Sequence, residues 1–173
     1  LENWVWEPEI ITRLSHHYIN GTVMPQELID SLIEKRYATK GIDTLMQVFY
    51  SLVDMELYSI TMENQIIDPA ALYNDLQEEV TGIKKLNGTW SIANFDHIVN
   101  EYNAAYYSYL WSQVYAADMY YSQFKQYGIL NKEIGKKYRN ILKKGSSYNA
   151  MDLLTEFLGK EPTDDAFIKN LGL

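Results

Sequence analysis

Tyrosine and histidine are the side chains of this sequence that crowd together at a spacing able to do chemistry. In the run Phe95-Asp96-His97-Ile98-Val99-Asn100-Glu101-Tyr102-Asn103-Ala104-Ala105-Tyr106-Tyr107-Ser108-Tyr109-Leu110-Trp111, Tyr102, Tyr106 and Tyr109 fall at i, i+4 and i+7. They share one helix face if the helix already covers Tyr102. A row of phenols can donate hydrogen bonds to a carbonyl or to a developing oxyanion. An aromatic stripe is more commonly plain core. Three hydroxyls on one buried face would each need a partner, however, and these follow a non-periodic loop carrying His97. A second stripe is Tyr107, Trp111, Val114 and Tyr121.

The other reactive residues form weaker patterns. His16 and His17 are adjacent, so on a helix they point about 100° apart and cannot make the i, i+4 chelate of a helical zinc site. There is no HExxH, and the three histidines share no motif, which predicts no metal site in this chain. His17 reads as a packing or capping residue ahead of Gly21. Glu78-Glu79 and Asp164-Asp165 read as solvated helix surface rather than catalytic pairs. Zero cysteines exclude a thiol nucleophile, a disulfide scaffold and a Cys-based zinc site. No phosphate-binding Gly-rich loop, no Gly-x-Ser-x-Gly and no dinucleotide fingerprint occurs.

The elements that must position the tyrosines are helical. Leu28, Ile29, Leu32 and Ile33 recur at helical spacing between Pro25 and Ala38. A long, largely buried helix is predicted from about Gly41 to Ile60, carrying Ile42, Leu45, Met46, Phe49, Leu52, Val53, Glu56 and Leu57. Asp68-Pro69 starts the next helix and Gly82 ends it. Residues 83–91 lack a period and read as loop, followed by a short helix or turn at about Asn94–Asn100. A long helix is predicted from about Ala104 to Tyr127, closed by Gly128. Asn131 caps a helix to about Leu142, and Lys143-Lys144-Gly145-Ser146-Ser147 is a polar connector. Asn149 caps a helix through Phe157 that Gly159 stops, and Pro162-Thr163 opens the last one. Strand signals are weak, since Asn20-Gly21 and Asn87-Gly88 are not flanked by alternating runs. The fold class is all-α, with about seven to nine helices in a single helical unit, 1–173.

Length and composition agree. The 173 residues suit one domain, and 47% hydrophobic with 22% charged residues excludes disorder. A net charge of −8 argues against nucleic acid or an anionic membrane as partner. No apolar run reaches the roughly 18 residues of a membrane span. The chain opens on Leu1 without Met and without a basic leader, so a fragment or processed chain and a cytoplasmic location are expected.

The run His97-x4-Tyr102-x3-Tyr106-Tyr107-x-Tyr109-Leu110-Trp111 resembles the C-terminal region of the thimet oligopeptidase and neurolysin family of zinc peptidases. This M3 family also includes bacterial peptidyl-dipeptidase and oligopeptidase A. The likeness extends to Leu1-Glu2-Asn3-Trp4-Val5-Trp6-Glu7, His17-Tyr18-x2-Gly21, Leu28 to Arg36, and Asp118-Met119 with Phe124-Lys125. It continues through Tyr138-Arg139, Phe157-Leu158-Gly159-Lys160-Glu161-Pro162, and Asp165-Ala166-Phe167 with Gly172-Leu173. It covers essentially the whole chain.

The resemblance implies an all-helical fold of two lobes around a deep channel, and hydrolysis of short peptides with one zinc. It places the HExxH histidines, the catalytic glutamate and the third zinc ligand before Leu1. The chain is therefore expected to bind no metal and to be inactive alone, with zinc in the parent enzyme. It implies that His97, Tyr102 and Tyr106 bind substrate and that Tyr109 is the catalytic oxyanion donor. Asn100 and Glu101 stand where the family usually has glycines just before the first tyrosine, which predicts a stiffer, more acidic loop, and Ser108 stands where it often has Gly or Ala. Expected partners are short peptides and the remaining part of the same enzyme, and the faces meant for that part predict self-association. The rival reading is a helical module that holds peptides in a Tyr-lined groove without cutting them. A purely structural bundle is a third.

Overall fold

Helix boundaries follow local chemistry closely. In the computed structural model, which describes residues 2–59, 66–86 and 88–172, the Asp68 carboxylate accepts the Ala70 and Ala71 N–H groups at 2.9 and 3.2 Å, with Pro69 in the first turn. Asn131 and Asn149 cap in the same way, and Gly82 and Gly159 close their helices in the left-handed region. Leu1, Asn87, the Ile60 end expected for the long helix, and Leu173 lie outside the described residues.

Eight α-helices occur among the described residues: α1 Pro8–Leu14, α2 Gln26–Lys35, α3 Lys40–Tyr58, α4 Pro69–Thr81, α5 Ser108–Met119, α6 Lys132–Lys144, α7 Ala150–Leu158 and α8 Asp165–Leu171. Short 3-10 turns stand at Trp4–Trp6, Ser91–Asn94, Asp96–Val99 and Gly145–Ser147. The one β contact described is an isolated bridge between His16 and Val23. No described helix is long and apolar enough to cross a membrane.

Three expectations change. The helix predicted from about Ala104 starts at Ser108, because residues 103–107 are a chain of turns. Its far part is not α-helical: Tyr120–Lys125 forms a π-helical segment that turns Tyr120, Gln123 and Phe124 inward together. The last helix starts at Asp165 instead of Pro162, and the Thr163 N–H ahead of it donates to the Asp118 carboxylate at 2.9 Å.

The chain divides into two units, Thr39–Ser112 and Leu1–Ala38 with Gln113–Leu173. In the first, α3 and α4 pack together around Phe49, Val53, Tyr73, Phe95, Ile98 and Tyr106. Helix α3 is buried along one side only: Phe49, Val53 and Asp54 face inward, whereas Ile42, Leu45 and Leu52 stay exposed. Glu56, counted with the inward positions in the sequence, is also exposed. In the second unit, Trp4 lies edge-on to Tyr120 and Phe124 and donates its indole N–H to the Ile129 carbonyl at 2.8 Å. Ile134, Phe157 and Leu158 complete that core.

Candidate functional site

Helix α3 is the platform of the site. Its buried edge presents Gln47, Tyr50 and Asp54 to the segment between the Asp96–Val99 turn and α5. Tyr58, at the end of α3, donates its hydroxyl to the Ile98 carbonyl and so fixes the turn that carries His97. Asp54 is 0% exposed, and its two oxygens accept the N–H groups of Ala104 at 2.8 Å and Tyr106 at 3.0 Å. Ala104 has φ +58°, the sole positive φ outside glycine among the described residues. The left-handed residue of this loop is thus an alanine, and Asn100 and Glu101 need no glycine backbone.

From this anchor the rings gather. The His97 ring centre lies 5.6 Å from Tyr102, 5.5 Å from Tyr106 and 6.2 Å from Tyr109. Tyr102 and Tyr109 stack at 5.0 Å, and Tyr106 and Tyr109 meet at 4.9 Å. All four sequence-predicted residues therefore share one cluster. They do not get there along one helix face, since Tyr102 and Tyr106 precede α5 and only Tyr109 lies in it. Successive turns replace the helix: the Ala105 N–H donates to the Tyr102 carbonyl at 2.9 Å and the Tyr109 N–H to the Tyr106 carbonyl at 3.2 Å.

The three phenols are not equivalent. Tyr106 is buried against Tyr50 and Phe95, and its hydroxyl donates to Gln47 Oε1 at 3.2 Å, so its proton is already engaged. Burial pushes its pKa up, against the opposing effect of Gln47. Tyr109 is half-buried, and hydrogen bonding with Tyr102, with burial and its phenol neighbours added, pushes it up to about 12. At neutral pH it is a protonated phenol. An open concavity of about 640 Å³ lies beside the cluster, lined by Asp96, His97, Val99, Asn100, Glu101 and Tyr102. The Asp96 carboxylate stands 3.2 Å from His97 Nδ1.

Sequence reasoning missed Gln47, Tyr50, Asp54 and Phe95 as parts of this site. The available signal was an acid inside the apolar run Leu52-Val53-Asp54-Met55. The remaining candidates stay outside it. His17 is exposed at a turn, where its carbonyl accepts the Gly21 N–H at 2.8 Å and its Nδ1 the Ile19 N–H at 3.3 Å. Tyr107 and Trp111 are exposed, with rings 6.5 Å apart. Glu78, Glu79, Asp164 and Asp165 lie on solvated surface. Among the described residues, no three His, Cys, Asp or Glu side chains come together as a metal site, so a zinc ion does not fit the donors of this segment.

Comparison with known proteins gives a consistent assignment. The family model "Peptidase family M3" matches residues 1–173. Saccharolysin of Saccharomyces cerevisiae is 38% identical over 177 residues, covering 100% of this chain and 24% of that protein. Oligopeptidase A of Escherichia coli is 36% identical over 182 residues, covering 100% of this chain and 26% of that protein. Thimet-like oligopeptidase of Dictyostelium discoideum is 31% identical over 175 residues, covering 99% and 26%. The chain spans about a quarter of the length of these relatives. With the family model matched along its whole length, the chain belongs to peptidase family M3.

Proposed function

We propose that this chain is the substrate-binding part of a zinc-dependent oligopeptidase, and that it lines a channel in which short peptides are cut. The observation that carries this reading is the convergence of the His97, Tyr102, Tyr106 and Tyr109 rings in one cluster, with His97 and Tyr102 lining the open concavity beside it. The metal belongs with residues outside this segment, and the segment alone is inactive. Its own residues bind, orient and donate. Tyr109 is the donor to the oxygen that gains charge at the scissile carbonyl, because it is half-buried at the start of α5 whereas Tyr106 is buried with its hydroxyl tied to Gln47. Tyr106 forms the fixed wall behind it, and His97 and Tyr102 contact the peptide. Asp96 and Glu101 on the rim favour peptides with basic side chains.

The test is Tyr109→Phe in the protein expressed together with the upstream region where the family carries its metal site. Cleavage of a quenched-fluorescent peptide is followed at constant zinc content. A fall in kcat of about 10²–10³-fold is expected, the size seen when one oxyanion donor is removed. Wild-type kcat in Tyr109→Phe removes the donor role. Peptide binding without any cleavage by the extended protein points instead to the non-catalytic module.

A further inference from the structure

We infer that Asp54 is a positioning residue for the tyrosine cluster: it holds the 103–107 turn in a left-handed backbone that aims Tyr106 and Tyr109. This rests on the donor role proposed for Tyr109. Asp54 sits on α3 in an apolar core, wholly buried, among Phe49, Val53 and Tyr106. Among the described residues no Lys, Arg or His pairs with it. A carboxylate in such a place is unfavourable unless hydrogen bonds replace its water. Here they come from two backbone amides, Ala104 and Tyr106, one on each oxygen.

Those amides bracket Ala104, where the 103–107 turn enters the left-handed region. An alanine at φ +58° persists only where its surroundings over-determine it. Ala104 is itself exposed, so side-chain packing does not fix it. The carboxylate clamp does, and its effect passes directly to the chemistry. Tyr106 is one of the clamped residues, and its carbonyl accepts the Tyr109 N–H at 3.2 Å at the start of α5. A tilt of the turn at Ala104 therefore moves the Tyr109 hydroxyl.

The experiment measures kcat and KM separately, per zinc-loaded enzyme and well below the unfolding temperature, in the protein extended as above. Asp54→Asn keeps the shape but turns an amide NH2 toward one of the two donors. Its kcat is expected to fall about 10²-fold with KM within about threefold, the pattern of a misplaced group that acts in the transition state. Adding Ala104→Gly to Asp54→Asn makes the left-handed backbone accessible without the clamp and is expected to restore kcat about fivefold. If Asp54→Asn does not fold, Ala104→Val disturbs the same turn from its exposed side and is expected to give the same loss in kcat. Wild-type kcat in either Asp54→Asn or Ala104→Val, beside a loss in Tyr109→Phe, overturns the positioning role alone. Wild-type kcat in Tyr109→Phe overturns the donor assignment and this inference with it.

Discussion

Each unit of the chain buries one aspartate almost completely, Asp54 at 0% and Asp118 at 1% exposure, and the two are satisfied differently. Asp118, at the end of α5, accepts Lys160 Nζ at 3.0 and 3.1 Å, the Thr163 N–H at 2.9 Å and the Ser122 hydroxyl. It joins a cation to a backbone amide and so ties residues 160–163 to the end of α5. Among the described residues Asp54 has only amides, from a single turn. A buried carboxylate with a counter-charge works as a tether, whereas one with amides alone dictates the conformation of the chain that supplies them. The first kind predicts effects on stability, the second effects on geometry.

The largest test of that contrast removes the tether. Asp118→Ala should destabilise the Leu1–Ala38 and Gln113–Leu173 unit by about 3 kcal/mol, read by sequence-resolved hydrogen exchange in denaturant. Lys160→Met should cost less, about 2 kcal/mol, because it leaves the buried Asp118 carboxylate without its counter-charge but still bonded to Ser122 and the Thr163 N–H. Equal losses would make the ion pair the whole tether and remove the amide's share.

Acid gives a smaller, signed effect. Burial alone would raise the Asp118 pKa, but the Ser122 hydroxyl, the Thr163 amide and Lys160 outweigh it and hold it below the ordinary 3.8. A lowered folded-state pKa contributes stability above pH 3.8 that is lost as pH falls through the lower folded value. Exchange protection in α5, α7 and α8 should drop below about pH 4 in the wild type, and this acid limb should shrink in Asp118→Asn. Persistence of the limb in that variant would assign it to other carboxylates.

The smallest effect belongs to the turn. Ala104→Gly alone should stabilise the Thr39–Ser112 unit by about 0.5 kcal/mol, since relief of the positive φ is partly offset by the freer unfolded chain. A loss of stability would mean that the alanine methyl matters to the packing of the turn.

What was legible in the sequence is local or patterned. Asp68, Asn131 and Asn149 cap where they were expected to, because a cap is decided by donors two or three residues away. Gly82 and Gly159 close helices for an equally local reason, the left-handed backbone. The order of aromatic and polar residues from His97 to Trp111 carried the family likeness that the whole-length match bears out.

What the sequence could not decide depends on partners far along the chain. The Ala104–Asp54 and Tyr106–Gln47 contacts join residues 50 and 59 positions apart, and they delay α5 until Ser108 despite good helical spacing from Tyr102 onward. The amide of Thr163 goes to Asp118, 45 positions away, and α8 begins later than Pro162 suggests. The sequence by itself determined which residue types would lie close together between His97 and Trp111 and that the surrounding elements would be helical. The tertiary structure alone decided that a turn clamped by Asp54 brings Tyr102, Tyr106 and Tyr109 together, because one carboxylate offers the amides of that turn more than another turn of helix would.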